Sequence, residues 1–215
     1  MNKLMKIQYI KNKNDIDELM LFFDEVFGEL TEIHEDTSLR HKNIMLEELK
    51  NNNAHCIYIK DNGKIVAGLS SWYISNFNSL LIDLLAVEKD YRNKHIAANL
   101  LNDLYETAKK ENIKYLQVAP EKENYRFYMK NGFMPVLNVC GIIRNIEIDE
   151  IRKTNIYDFE EIDNQVDILK NGVDKYISIK YIVDLPKDEY INYYNKMFFG
   201  KNAPGSYYYF IKKIY

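Results

Sequence analysis

Residues 80–101 read Leu-Leu-Ile-Asp-Leu-Leu-Ala-Val-Glu-Lys-Asp-Tyr-Arg-Asn-Lys-His-Ile-Ala-Ala-Asn-Leu-Leu, and this stretch decides the fold. Leu80 to Val87 is apolar except for Asp83, the pattern of a central strand covered on both faces. Glu88-Lys89-Asp90-Tyr91 makes a polar turn, and Arg92 to Ala97 opens a helix. From Ile96 the stripe Leu100, Leu101, Leu104, Tyr105 and Ala108 recurs at helical spacing, with polar residues on the other face. A strand that passes through a short turn into a helix aims free N–H groups and the positive helix end at one spot. Such a spot binds phosphate well, and Arg92 and Lys94 add positive charge to it.

Upstream, Lys6 to Ile10 reads as a short strand. A helix follows, capped by Asn14, with Asp15, Asp17 and Glu18 in its first turn and Ile16, Leu19, Met20, Phe23 and Phe27 at helical spacing. Gly28 stops it. An acidic loop carries Glu29, Glu32, Glu35 and Asp36, and a second helix spans Thr37 to Lys50. Ala54 to Lys60 alternates as a strand, Asn62-Gly63 signals a hairpin, and Lys64 to Ser75 is the return strand.

Downstream, Tyr115 to Ala119 is a short strand ended by Pro120. Lys122 to Asn131 is helical up to Gly132, and a strand runs from Phe133 through Cys140 to Arg144. The order over residues 1–145 is β-α-α-β-β-β-α-β-α-β. That order predicts an α+β (mixed α/β) domain whose central sheet is mixed, mostly antiparallel and flanked by helices. Residues 146–215 read as a C-terminal α/β extension packed on it. Its Asn145–Asn171 part is weakly helical, with a turn at Gly172. Lys175 to Val183 alternates as a strand, with Ile177, Ile179, Tyr181 and Val183 on one face. A helix from Pro186 to Gly200 and a last strand at Tyr207–Tyr215 complete it.

Composition narrows the function. The chain has 215 residues, 47% of them hydrophobic and 28% charged, and a formal net charge of −3. These values describe a globular protein able to bury a core, and without a concentrated basic field nucleic acid is not an expected partner. No apolar run reaches the ~20 residues a membrane span needs, so no membrane partner is expected and the cytoplasm is the default location. Cys56 and Cys140 each sit in an apolar run and read as buried free thiols in a reducing compartment, with a disulfide between them as the alternative. His34, His41, His55 and His95 are scattered, with no metal-type spacing.

Leu85-Ala86-Val87 followed by Tyr91-Arg92-Asn93-Lys94-His95-Ile96-Ala97-Ala98-Asn99-Leu100-Leu101 resembles the coenzyme-A-binding segment of the GNAT superfamily of N-acetyltransferases. That segment usually reads Arg/Gln-x-x-Gly-x-Gly/Ala. Phe127-Tyr128-Met129-Lys130-Asn131-Gly132-Phe133 is similar to the family's Phe-Tyr-x-Lys-x-Gly-Phe and lies at the family's distance downstream. The element order of residues 1–145 matches as well. The resemblance implies acetyl transfer from acetyl-CoA to a primary amine of a small molecule, peptide or protein. The main chain of Leu85, Ala86 and Val87 would bond the pantetheine arm as an added strand. The amides of Arg92, Asn93, Lys94, His95, Ile96, Ala97 and Ala98 would cradle the pyrophosphate. Tyr128 would protonate the leaving thiolate.

This chain departs from the pattern twice. His95 stands where the family has its first glycine, and Glu121 stands where it often has an asparagine, with Asn124 one turn from Tyr128 as a substitute. Asp83, an acid inside an apolar strand and shared by some relatives, is the expected base or water-orienting group. The acidic run at Glu29, Glu32, Glu35 and Asp36 reads as a solvated loop or as an attractor for a cationic amine, with His34, Trp72 and Tyr73 in reach of the same cleft. A module that keeps the fold but has lost catalysis is the alternative. Residues 146–215 would complete the sheet, cover the acceptor site or form a homodimer contact.

Overall fold

The structure, a computed structural model, describes residues 6–28, 35–51, 55–143, 152–162, 167–171, 174–198 and 206–215. The chain divides into two compact units, residues 1–118 with 213–215, and residues 119–212.

In the first unit the elements run β1 (Ile7–Tyr9), α1 (Lys13–Phe27), α2 (Glu35–Lys50), β2 (Ile57–Asp61), β3 (Lys64–Ile74), β4 (Ser79–Val87), α3 (Ile96–Lys110) and β5 (Tyr115–Val118). The sheet order is β1-β2-β3-β4-β5. Neighbours are antiparallel as far as β4, and β5 is parallel to β4. The parallel pair needs a crossover, and α3 supplies it.

Asn12, not Asn14, caps α1. Its extended backbone lets its side-chain oxygen accept the Asp15 N–H at 3.1 Å, whereas Asn14 is already helical. Gly28 stops the helix at φ 60°, its N–H bonded to Asp24 O at 2.9 Å. α1 buries Ile16, Leu19, Met20, Phe22 and Phe23 in a cluster that includes Met45 of α2, Tyr58 of β2 and Ala86 of β4. α2 begins two residues before the expected Thr37, so Glu35 and Asp36 belong to a helix and not to a loop. Glu29, Glu32 and His34 lie outside the described residues. Asn62 and Gly63, at φ 49° and 84°, form the expected turn between β2 and β3. α3 covers the sheet with Ile96, Leu100, Leu101, Leu104 and Ala108, while Tyr105 is half-buried at the edge of that stripe.

The second unit holds α4 (Tyr125–Lys130), β6 (Met134–Ile143), β7 (Glu160–Glu161), β8 (Asp167–Asn171), β9 (Asp174–Ile182), α5 (Asp188–Phe198) and most of β10 (Tyr207–Lys213). β6 lies between β9 and β10, antiparallel to both, and β7 and β8 each pair with β9. The weak helical pattern over Asn145–Asn171 holds at Arg152 and Lys153, which are helical, and fails further along. Glu160–Glu161 and Asp167–Asn171 are strands, stabilised by ladder bonds to β9 that local propensity does not report. The expected helix at 122–131 is a 3₁₀ turn at Lys122–Asn124 followed by α4. α5 starts at Asp188, two residues after Pro186. The core of this unit is aromatic: Tyr181, Tyr194 and Tyr208 are buried, with Phe159, Tyr190 and Tyr193 packed against them.

Candidate active site

The chemistry-bearing feature of the first unit is a β-bulge. Ser70 pairs with Leu84 and Ser71 with Ile82, so Asp83 is the extra residue on β4. Bulges bend a strand and re-aim a side chain. Here the bulge coincides with the loss of a neighbour, because β5 pairs with β4 only from Ser79 to Ile82. Beyond that point β4 keeps β3 on one edge, with Leu85, Ala86 and Val87 opposite Leu69, Gly68 and Ala67. Its other edge carries no strand among the described residues, leaving main-chain donors and acceptors available to an extended ligand.

The free edge runs into the turn. A 3₁₀ turn at Lys89–Tyr91 is tied to β3 by Glu88 N–H bonding Val66 O at 2.9 Å, and to the hairpin by the Tyr91 hydroxyl donating to Asp61 at 2.8 Å. Arg92 Nε donates to Val87 O at 3.0 Å. Asn93 and His95 are both left-handed, at φ 61° and 59°, the alternation that curls successive amides into a concave anion nest. The amides from Asn93 to Ala98 have no partner among the described residues until Asn99 bonds His95 O. Arg92, Asn93, Lys94 and His95 are exposed, and Ile96 is buried as the anchor of α3. Left-handed backbone at His95 explains why glycine suits this position. The exposed imidazole takes the conformation without entering the core, so the residues present fit a diphosphate.

Asp83 points to the α1/α2 face of the sheet, where its carboxylate is in direct contact with His41 Nδ1 of α2. The two side chains are 16% and 13% exposed. His41, Met45 and Glu48 lie at i, i+4 and i+7 on the sheet-facing stripe of α2. His41 was not singled out in the sequence. Its helical spacing with Met45 was a visible signal, but its partner lies 42 residues away. Ser70, paired with Leu84 next to the bulge, is 2% exposed, and its hydroxyl has no partner among the described residues. Cys56 is free and buried, and burial pushes its thiol up to about 12. The side chain of Cys140 is outside the described set. A cavity of about 450 Å³ is lined by Leu39, Arg40, Ile44 and Glu48 of α2 and by Trp72 of β3. Trp72 pairs with Leu81, two residues before Asp83. Tyr73 is exposed and donates to Asn78 Oδ1 at 3.2 Å.

At the other end of α2, His55 is enclosed between two acids. Its Nδ1 is 3.2 Å from Glu48 Oε2 and its Nε2 is 2.6 Å from Glu111 Oε2. Burial pushes the imidazole down, but the bonds to Glu48 and Glu111 and their charges outweigh it and hold His55 above its ordinary value.

In the second unit Tyr128 is buried on α4, edge-on to Phe133 at 5.4 Å and to Phe127 at 5.1 Å. Gly132, at φ 81°, turns the chain so that Phe133 N–H bonds Tyr128 O. Burial pushes the Tyr128 phenol up to about 12, so it stays protonated at neutral pH. Asn124 is exposed and makes no side-chain cap to α4, and Glu121 is exposed as well.

The sequence matches the Acetyltransferase (GNAT) family over residues 17–133, more than half of the chain. This chain belongs to the GNAT acetyltransferase family, whose members use acetyl-CoA as acetyl donor. Among curated proteins none matches the sequence. Solved structures similar to it include PaiA N-acetyltransferase from Thermoplasma acidophilum in complex with coenzyme A (18% identity, 82% of this chain, 100% of that chain, TM-score 0.46). Another is the ribosomal-protein-S18-alanine N-acetyltransferase from Escherichia coli (12% identity, 86% of this chain, 97% of that chain, TM-score 0.46). A Pyrococcus horikoshii protein proposed to be an acetyltransferase is 16% identical, with 71% of this chain covered and a TM-score of 0.48; this chain spans 59% of that protein's length. No helix among the described residues is long and apolar enough to cross a membrane.

Proposed function

We propose that this chain transfers the acetyl group of acetyl-CoA directly to a primary amine of a small molecule, a peptide or a protein. One observation carries the reading: the unpaired edge of β4 from Asp83 to Val87 is followed, across the single 3₁₀ turn at Lys89–Tyr91, by the unpartnered amides at Asn93–Ala98. An extended arm with a diphosphate at one end matches that sequence of groups. Leu85, Ala86 and Val87 bond the arm through main chain. Arg92 and Lys94, with the α3 dipole, balance the phosphate charge.

Direct attack is favoured over an acyl-enzyme because Cys56, whose thiol is held up at about 12, is protonated and enclosed. Asp83 serves as base or water-orienting group for the amine. Tyr128 is assigned the proton of the leaving thiolate, and its burial keeps that proton in place until the sulfur needs it. Asn124 is assigned a supporting contact to the cofactor arm. Residues 1–145 form the catalytic core, 146–215 an extension that completes, covers or dimerises it, and the cytoplasm is the working compartment.

Calorimetry with acetyl-CoA on wild type and Tyr128→Phe tests the reading. Micromolar binding by both, with thiol release to an amine slowed by about 10²-fold in Tyr128→Phe, is the expected result. Absence of binding by either protein overturns it and leaves a GNAT scaffold without its cofactor.

A further inference from the structure

Resting on the acetyl-transfer reading above and replacing only its assignment of the base, we propose that His41, and not Asp83, is the catalytic residue that takes the acceptor amine's proton, with Asp83 acting through it as a positioning residue. Three observations converge. The β4 bulge turns Asp83 toward α2, and its carboxylate meets Nδ1 of His41. A carboxylate on Nδ1 fixes the imidazole with its proton on that nitrogen, which leaves the Nε2 lone pair as the acceptor. Nε2 has no partner among the described residues.

The second observation is place. β5 stops pairing with β4 at Ile82, so the dyad stands where the free edge begins. Arg40 and Ile44, which flank His41 on α2, line the cavity of about 450 Å³ together with Trp72. The third is the buried Ser70 hydroxyl beside the bulge, which has no partner among the described residues. A hydroxyl enclosed in that way is costly unless a ligand or water completes it.

The other charged and titratable groups around the ring are accounted for. Lys42 is ion-paired with Asp17 of α1 at 2.5 Å, Glu48 is held by His55, and Glu47, which also lines the cavity, is paired with Lys50 at 2.8 Å. Cys56 is neutral. Arg40, adjacent in sequence, cannot accept a proton. Asp83 and His41 are thus the pair left to do so.

The step balances. Nε2 takes one proton from R–NH3+, and the freed lone pair forms the N–C bond to the thioester carbonyl. Collapse breaks C–S, the thiolate takes the proton assigned to Tyr128, and the amide nitrogen's remaining excess proton passes through solvent to replace it on that phenol. The products are R–NH–CO–CH3, CoA–SH and one proton returned to water from His41.

The test uses the full chain, acetyl-CoA and three probe acceptors, namely spermidine, lysine and a tetrapeptide beginning with alanine, followed by thiol release. His41→Gln should lower kcat/KM about 10²- to 10³-fold and remove the acidic limb of its pH profile, with acetyl-CoA binding unchanged by calorimetry. Asp83→Asn should lose as much, because an amide presents an N–H to Nδ1 and favours the wrong tautomer. The double variant should be no worse than either single one. Nitrogen-15 spectra of histidine-labelled protein should show neutral His41 protonated on Nδ1 in wild type and on Nε2 in Asp83→Asn. A wild-type acidic limb retained in His41→Gln, or losses that multiply in the double variant, would overturn the proposal while leaving acetyl transfer intact. Thiol release no faster than with acetyl-CoA alone, for all three acceptors, overturns the transfer reading and this one with it.

Discussion

His95 occupies the left-handed conformation that glycine takes freely, and an L-residue there gives up about 1–2 kcal/mol. Its exposed side chain returns little of that in packing. His95→Gly is therefore expected to raise Tm by about 2–4 °C, the shift that roughly 1 kcal/mol produces in a chain of this size, readable by differential scanning calorimetry. A lower Tm would mean that the imidazole makes contacts that outweigh the strain. At this scale the sequence was informative about type and silent about partners. Asp83 stood out as an acid in an apolar strand, yet its contact with His41 depends on a bulge and a helix that meet only after folding. The same holds for Glu48, His55 and Glu111, whose separations of 7 and 56 residues give no local signature.

Elements were legible where periodicity and punctuation agreed. The order β-α-α-β-β-β-α-β-α-β over residues 1–145 is the order observed where the chain is described, because α1 and α3 carry continuous apolar stripes and the β2–β3 hairpin has a turn dipeptide. β7 and β8 were missed because both are short and take their stability from β9. The seating of α1 on β3 depends on one small residue. A Cβ at Gly68 would lie 2.4 Å from Leu19 Cδ1 and 3.4 Å from Phe23 Cζ, both in the α1 core. Gly68→Ala should cost about 1–3 kcal/mol by overpacking, measured by urea denaturation. Adding Leu19→Ala should restore part of it, so the pair will not be additive. Additive losses would place the cost in the strand backbone instead.

For the whole molecule the enclosed His55 makes stability depend on pH. Its folded-state value lies above the ordinary one, so the protonated ring contributes stability that is fully present below about 6.5. That contribution is lost as pH rises through the higher, folded value. The difference in unfolding free energy between wild type and His55→Gln should therefore shrink as pH rises from about 5.5 to 8.5. A difference that stays constant over that range would mean that the ring acts by packing alone. The clamp joins α2, β2 and the end of α3, so the loss is felt by the unit around it and not by one strand. The choice of acceptor amine was not legible in the sequence, because no linear motif carries the shape of a binding site.

Cys56 offers a use that has nothing to do with acetyl transfer. The residue is 2% exposed and its thiol is protonated in the closed protein, so an alkylating reagent reacts with it only when the cluster it shares with α1 and α2 opens. In a Cys140→Ser background, the rate of thiol labelling against reagent concentration becomes a clock for that opening. It separates breathing of the first unit from global unfolding without a spectroscopic probe.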